Sequence, residues 1–178
     1  IFVVSPDLAY QGKGDINPET ANLSSQGLQR SLLMATYLKQ KVLGGNNVTS
    51  IYALQPNTHL QTENDYPDMA SYGYIQQFAL LNQITLNSIT AYSYPIKMSS
   101  AGAGKGLNFY NTAGNLELVN AVIDANTPGY YVFCAPWETI SALLDAIKNS
   151  RGYHLELPTT YQGPDNIYAI VISTSGNA

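Results

Sequence analysis

The sequence predicts a three-layer α/β/α sandwich with a mostly parallel central sheet, built as a single domain over residues 1–178. Two observations predict this fold. Apolar runs of strand length alternate with stretches in which apolar residues recur every three or four positions, as expected for a parallel sheet connected by helices. The length is close to that of one hydrophobic core, and no repeat or linker divides the chain.

The first half of the chain supplies two strands and two helices. The apolar run Phe2–Val4 is the first strand, and it ends at Ser-Pro-Asp. A helix follows, because Ser24 or Ser25 can cap it and apolar residues recur at helical spacing. The predicted buried stripe of this helix is Leu28, Leu32, Leu33, Ala35 and Leu38. The stretch VTSIYAL (48–54) is the second strand, and a second helix is predicted within 68–84.

The second half repeats this alternation. The β-branched and aromatic run 88–96 predicts a third strand, and a helix over 115–126 precedes the apolar strand 130–135. A helix over 138–150 and a closing strand over 166–173 complete the pattern. The predicted buried face of that last helix is Ile140, Leu143, Leu144 and Ile147.

Composition excludes several classes of function. Only 11% of the residues are charged, the net charge is −4, and the eight Lys and Arg are scattered, so no basic patch is available for nucleic acid. No apolar run approaches the roughly 18 residues of a membrane span. With two distant histidines and one cysteine, no metal site and no cofactor are predicted. The 14 tyrosines and many amide side chains instead favour a secreted or cell-surface protein whose partners are a glycan, another protein or a second copy.

Several stretches, in chain order, resemble the histidine phosphatase (phosphoglycerate mutase-like) superfamily. IFVVSPD stands where that family has a strand ending in Arg-His-Gly, and LSSQGLQR (23–30) is similar to its Leu-Thr-x-x-Gly-x-x-Gln. IYALQPNTHLQT (51–62) resembles Tyr-Ser-Ser-x-x-x-Arg-Ala-x-Gln-Thr. YYVFCAPWETISALLDAI (130–147) resembles the strand, Ser-His-Gly and helix found late in the family. The tail GPDNIYAIVIS looks like the closing strand of a secreted bacterial branch.

The resemblance implies phosphoryl transfer to a histidine, but this chain departs from the family at the positions that carry it. Pro6 stands at the nucleophile, Ser5 at the neighbouring arginine, Thr58 at the second arginine and Pro136 at the late histidine. A transferred phosphoryl group needs positive donors. Asp7 and Glu138 instead add negative charge at the same strand ends. The resemblance therefore predicts a pseudoenzyme, serving as a binding, structural or assembly module without phosphohistidine activity.

Two alternatives stay open. A hydrolase of another class, acting on carbohydrate, would use Asp7 and Glu138 as a carboxylate pair beside Tyr10 and Trp137 as aromatic ligand-binding residues. His59 is a further candidate base in such an enzyme. Each carboxylate has a structural interpretation as well, since Glu138 suits the first turn of a helix and Asp7 a loop anchor. The second alternative is an active phosphatase whose site is rebuilt from relocated residues: Arg30, Arg151 and His154.

Overall fold

The structure is a computed structural model that describes residues 1–6, 23, 25–60, 67–83, 106–158, 160–163 and 166–173. Within these ranges the chain forms an α/β fold with a four-stranded, mostly parallel sheet and four α-helices. The described strands and helices follow one another in this order: β1 Phe2–Val4, α1 Ser25–Tyr37, β2 Ser50–Ala53, α2 Ala70–Leu81, α3 Thr112–Asp124, β3 Tyr131–Ala135, α4 Trp137–Arg151 and β4 Ile167–Tyr168. The predicted strand 88–96 lies outside the described residues.

The sheet has the strand order β2-β3-β1-β4. β3 pairs in parallel with both β2 and β1, and Val3 lies opposite Cys134 in the register. β4 pairs antiparallel with β1 at two residues only, so the predicted strand 166–173 is shorter than expected. Just after β2, Leu54 forms a parallel bridge with Leu107. This bridge places residues 106–109 beside the end of β2.

Helices lie on both faces of the sheet. Because side chains alternate along a strand, Val3, Val132 and Cys134 point to one face, where they join a core with residues of α1 and α2. Phe2 and Phe133 point to the other face, where they stack at 5.3 Å and pack with residues of α3 and α4. Each face of the sheet therefore has its own hydrophobic core.

The ends of α3 and α4 follow simple helix chemistry. The Asn111 side chain caps α3 by accepting a hydrogen bond from the Gly114 amide at 2.9 Å. In α4, Glu138 lies in the first turn and Arg151 in the last, where each charge complements the helix dipole. Gly152 then ends the helix in the left-handed region, at φ 65°, which a glycine adopts without strain.

The buried stripe predicted for α1 is confirmed at Ala35 and at Leu38, which directly follows the helix, and is wrong at three leucines. Leu28, Leu32 and Leu33 are 52%, 57% and 73% exposed. The residues that face the core are Gly27, Ser31, Met34, Ala35 and Leu38. Small residues at the start of this stripe allow a close approach, since a Cβ on Gly27 would lie 3.2 Å from Leu23 and 3.5 Å from Pro6. Tight packing, rather than the largest number of leucines, sets the rotation of this helix.

Candidate functional site

The candidate site lies where β1, β2 and β3 end, at one edge of the sheet. The chain leaves β1 through α1 towards β2, which lies beyond β3, and leaves β3 through α4 towards β4, which lies beyond β1. The two connections thus diverge in opposite directions, over opposite faces. In open α/β sheets the crevice at such a switch point is the usual place for a ligand. Ser5 and Pro136 each follow directly on one of two paired strands, β1 and β3, at this edge.

At the end of β1, both residues are buried and engaged in packing. The Ser5 amide donates to the Ala135 carbonyl at 2.9 Å, and its hydroxyl lies 2.8 Å from the hydroxyl of Ser71 in the first turn of α2. Ser5 is 2% exposed and Ser71 is fully buried. Pro6 is also buried, beside Gly27 of α1. The described residues that follow β1, Ser5 and Pro6, are therefore occupied by packing and present no reactive group.

At the end of β3, Pro136 precedes the first residue of α4, and its carbonyl accepts the Ile140 amide at 3.0 Å. Trp137 is half-buried, with its ring centroid 6.2 Å from that of Tyr161 and 6.0 Å from that of Tyr168. Glu138 is exposed in the first turn of α4. Its proposed partner Asp7 and the aromatic candidate Tyr10 both lie outside the described residues.

At the end of β2, Thr58 has a structural role. Its hydroxyl donates to the Gln55 carbonyl at 2.7 Å and accepts the Phe109 amide at 3.1 Å. These two bonds close the short helical turn Pro56–Thr58 and attach it to the segment that runs beside β2. The position where the resemblance places an arginine therefore carries a hydroxyl that links two segments.

The neighbouring His59 forms the most distinctive polar contact of the described residues. Its Nδ1 lies 2.7 Å from Oδ2 of Asp68, just before α2. The Asp68 side chain is 2% exposed, whereas the His59 side chain is 26% exposed. The other carboxylate oxygen accepts the Ala70 amide at 2.8 Å, and the His59 ring stacks on Phe109 with centroids 3.9 Å apart. Asp68 was not predicted as a site residue, although an aspartate just before a helical pattern is a recognisable cap.

Cys134, on β3, is a buried and unreactive thiol. Its thiol is fully buried and donates a hydrogen bond to the Ser71 carbonyl at 3.5 Å. Burial raises the pKa of the Cys134 thiol, and the negative charge of Asp68 raises it further. Because the thiolate is the reactive form, this cysteine is a structural residue and no nucleophile.

The residues suggested for a relocated phosphate site are dispersed. Arg151 is at the far end of α4, about 22 Å along the helix from the crevice at 1.5 Å per residue. There it forms an ion pair with Asp124 at 2.8 Å and donates to the Asn120 side chain. His154 follows that helix end and is exposed, and Arg30 lies halfway along α1. Arg151 and His154 therefore lie away from the edge that holds His59.

The described residues include no group of three or more His, Cys, Asp or Glu side chains placed to hold a metal ion. No helix within the described ranges is long and apolar enough to cross a bilayer.

No protein-family model matches the chain, and no curated protein matches it.

Proposed function

We propose that this chain is a degenerate member of the histidine phosphatase (phosphoglycerate mutase-like) superfamily, and that it works as a secreted or cell-surface binding or assembly module without phosphohistidine chemistry. The parallel pairing of β1 with β3, and the helices on both sheet faces, support the three-layer form of that fold. The position of Ser5, Pro6 and Pro136 at adjacent strand ends supports the alignment of the motifs.

The observation that carries this proposal is the state of the four positions where the family handles phosphate. Ser5 is buried against Ser71, and Pro6 is buried beside Gly27. Thr58 links two segments, and Pro136 leads into α4. Each position thus has a structural task, and none offers a nucleophile or a positive charge to a ligand.

The charges at this edge lead to the same conclusion. The described segments that follow the three parallel strands, residues 5–6, 54–60 and 136–138, contain no Lys or Arg. They contain the exposed carboxylate of Glu138, and the buried carboxylate of Asp68 lies beside His59. A phosphoryl group carries negative charge on three oxygens and would meet repulsion here. An uncharged ligand would not.

Aromatic side chains near β4 favour a neutral partner. Trp137 stands beside Tyr161 and Tyr168, and Tyr161 is 42% exposed. Aromatic rings with a polar tip suit surfaces that are partly wet, such as those that bind glycans or proteins. A neutral glycan, a protein or a second copy of this chain are therefore the partner classes that we propose.

The proposal is tested with p-nitrophenyl phosphate over pH 5–8. We expect no turnover above that of a protein-free control. Turnover that disappears in Arg30→Gln would overturn the proposal, because a working arginine would then have survived. Arg151→Gln is the matched control, since that side chain is engaged with Asp124 at the far end of α4.

A further inference from the structure

We propose that His59 is a general base, oriented by Asp68, which activates water for the hydrolysis of an uncharged acyl ester at the end of β2. This activity goes beyond the binding function proposed above and does not depend on it. It assigns a role to the one histidine in the described residues that is held by a buried carboxylate.

His59 is held by two contacts of its side chain and one of its backbone. Nδ1 is 2.7 Å from the Asp68 carboxylate, and the ring lies parallel to Phe109 within 5°. The backbone amide of His59 closes the preceding turn on the Pro56 carbonyl at 3.3 Å. An ordinary surface histidine samples several rotamers, whereas this one is fixed. A catalytic base needs such preorganisation, with a third group setting its orientation.

The contact with Asp68 determines which ring nitrogen of His59 carries the proton. The ionised Asp68 carboxylate can only accept hydrogen bonds, so Nδ1 of a neutral His59 carries the proton and Nε2 carries the lone pair. Asp68 is itself anchored, since its second oxygen accepts the Ala70 amide and its own amide donates to the His59 carbonyl at 2.9 Å. Asp68 is therefore a positioning residue that sets the tautomer and stabilises the imidazolium when it forms.

The nucleophile follows from the state of the nearby hydroxyl and thiol groups. Ser5 and Ser71, the buried hydroxyls near the first turn of α2, bond to each other and are not accessible to a substrate. The Cys134 thiol is buried and engaged with the Ser71 carbonyl. The Thr58 hydroxyl, next to His59 in the chain, is engaged with the Gln55 carbonyl and the Phe109 amide. Each of these described hydroxyl and thiol groups is therefore committed to a contact within the protein. Water is therefore the nucleophile that His59 activates.

The reaction follows from these roles. Nε2 of His59 removes a proton from water as its oxygen attacks the carbonyl carbon of the ester. The tetrahedral intermediate then collapses, the bond from carbon to the alkoxy oxygen breaks, and the imidazolium returns the proton to the departing oxygen. One ester and one water give one acid and one alcohol, and the histidine ends as it began.

The surroundings favour an uncharged acyl group. Phe109 covers one face of the imidazole, and Tyr110, packed edge-on at 4.8 Å from Phe109, is 79% exposed. These rings offer an apolar wall next to the base. The described segments 54–60 and 106–111 contain no Lys or Arg that could hold an anionic substrate.

The experiment measures hydrolysis of p-nitrophenyl acetate by the full chain. His59→Asn retains an amide donor where Nδ1 contacts Asp68 but has no counterpart of Nε2, so it separates structure from catalysis. We expect it to lower kcat/KM on the order of 100-fold. His154→Asn, the matched control, leaves the rate unchanged. Asp68→Asn should lower kcat and leave KM near the wild-type value, because Asp68 positions the base and does not contact the substrate.

Hydrolysis of the ester by His59→Asn at the wild-type rate would overturn the proposal. If circular dichroism shows that His59→Asn does not fold, wild-type protein is treated with diethyl pyrocarbonate and the sites are identified by mass spectrometry. Loss of ester hydrolysis should then follow modification of His59. Loss that follows His154 alone would also contradict the proposal.

Discussion

The ends of β1 and β2 lie at the same edge of the sheet, yet they differ in what they expose. At β1, Ser5 and Pro6 are buried and their contacts are satisfied within the protein. At β2, a buried carboxylate holds a histidine that is one quarter exposed. The start of α2 contacts both ends, since Ser71 in its first turn bonds to Ser5 and Asp68 just before it bonds to His59. The comparison teaches that, among the described residues of one α/β edge, the end of one strand can be filled by buried packing while the end of another carries a histidine paired with a carboxylate.

The largest expected effect comes from removing the carboxylate at the β2 end. Asp68→Ala deletes the acceptor of the Ala70 amide and the partner of His59. A lost helix cap costs about 1 kcal/mol, and a lost hydrogen bond to a charged group costs about 1.5–3 kcal/mol. We expect the free energy of unfolding, measured in urea, to fall by about 2–4 kcal/mol. A loss below about 0.5 kcal/mol would show that the pair is not anchored as described.

The β1 end should give a smaller effect with a different signature. Ser5→Ala or Ser71→Ala leaves the other hydroxyl buried without its partner, which costs about 1–3 kcal/mol. The double variant removes both hydroxyls, so its loss should be less than the sum of the two single losses. Urea unfolding of all four proteins completes the cycle. Strict additivity would mean that the two hydroxyls do not interact.

The smallest effect concerns pH and the thiol between the two ends. Burial raises the pKa of Cys134 in the folded protein above its ordinary value of 9.0. The stability from the neutral buried thiol is therefore complete below pH 9 and declines as pH rises, because only the unfolded chain releases the proton. The decline should reach about 1.4 kcal/mol one pH unit above 9.

Cys134→Ala supplies the comparison for that measurement. Its unfolding free energy starts lower, because a buried side chain is shortened, but it should lack this part of the alkaline decline. The useful range is pH 8–10, since Tyr72, whose pKa burial also raises from 10.0, adds its own decline at higher pH. Parallel curves for the two proteins would show that the thiol ionises equally in both states.

The sequence predicted the α/β fold and much of its core correctly, for physical reasons that differ between helices. All four residues predicted for the buried face of α4 are buried, because that helix has a single apolar stripe. In the first turns of α1, two sets of residues compete for the core. Leu28, Leu32 and Leu33 are outside, since the small residues Gly27 and Ser31 are buried in their place and Gly27 packs closely against Leu23. Periodicity alone does not distinguish two such faces.

The site was harder to predict than the fold. His59 was recognised as a candidate base, but its partner lies nine residues further along and its stacking partner, Phe109, comes from a distant segment. That segment reaches β2 through the pairing of Leu54 with Leu107, which no local pattern encodes. The sequence predicts which strand each of four residues follows: Ser5, Pro6, Thr58 and Pro136. Their hydrogen bonds and their burial are seen only in the structure.

The central claim is that phosphate handling is absent from the β1 and β3 ends. It is tested most directly by titrating isotope-labelled protein with orthovanadate, a phosphate analogue, and following the backbone amides by two-dimensional NMR. The amides of Ser5, Thr58 and Trp137 report on the three strand ends. We predict that none of them shifts in a saturable manner. Saturable shifts shared by Ser5 and Trp137 would show that the crevice still binds a phosphoryl group, and would contradict the account.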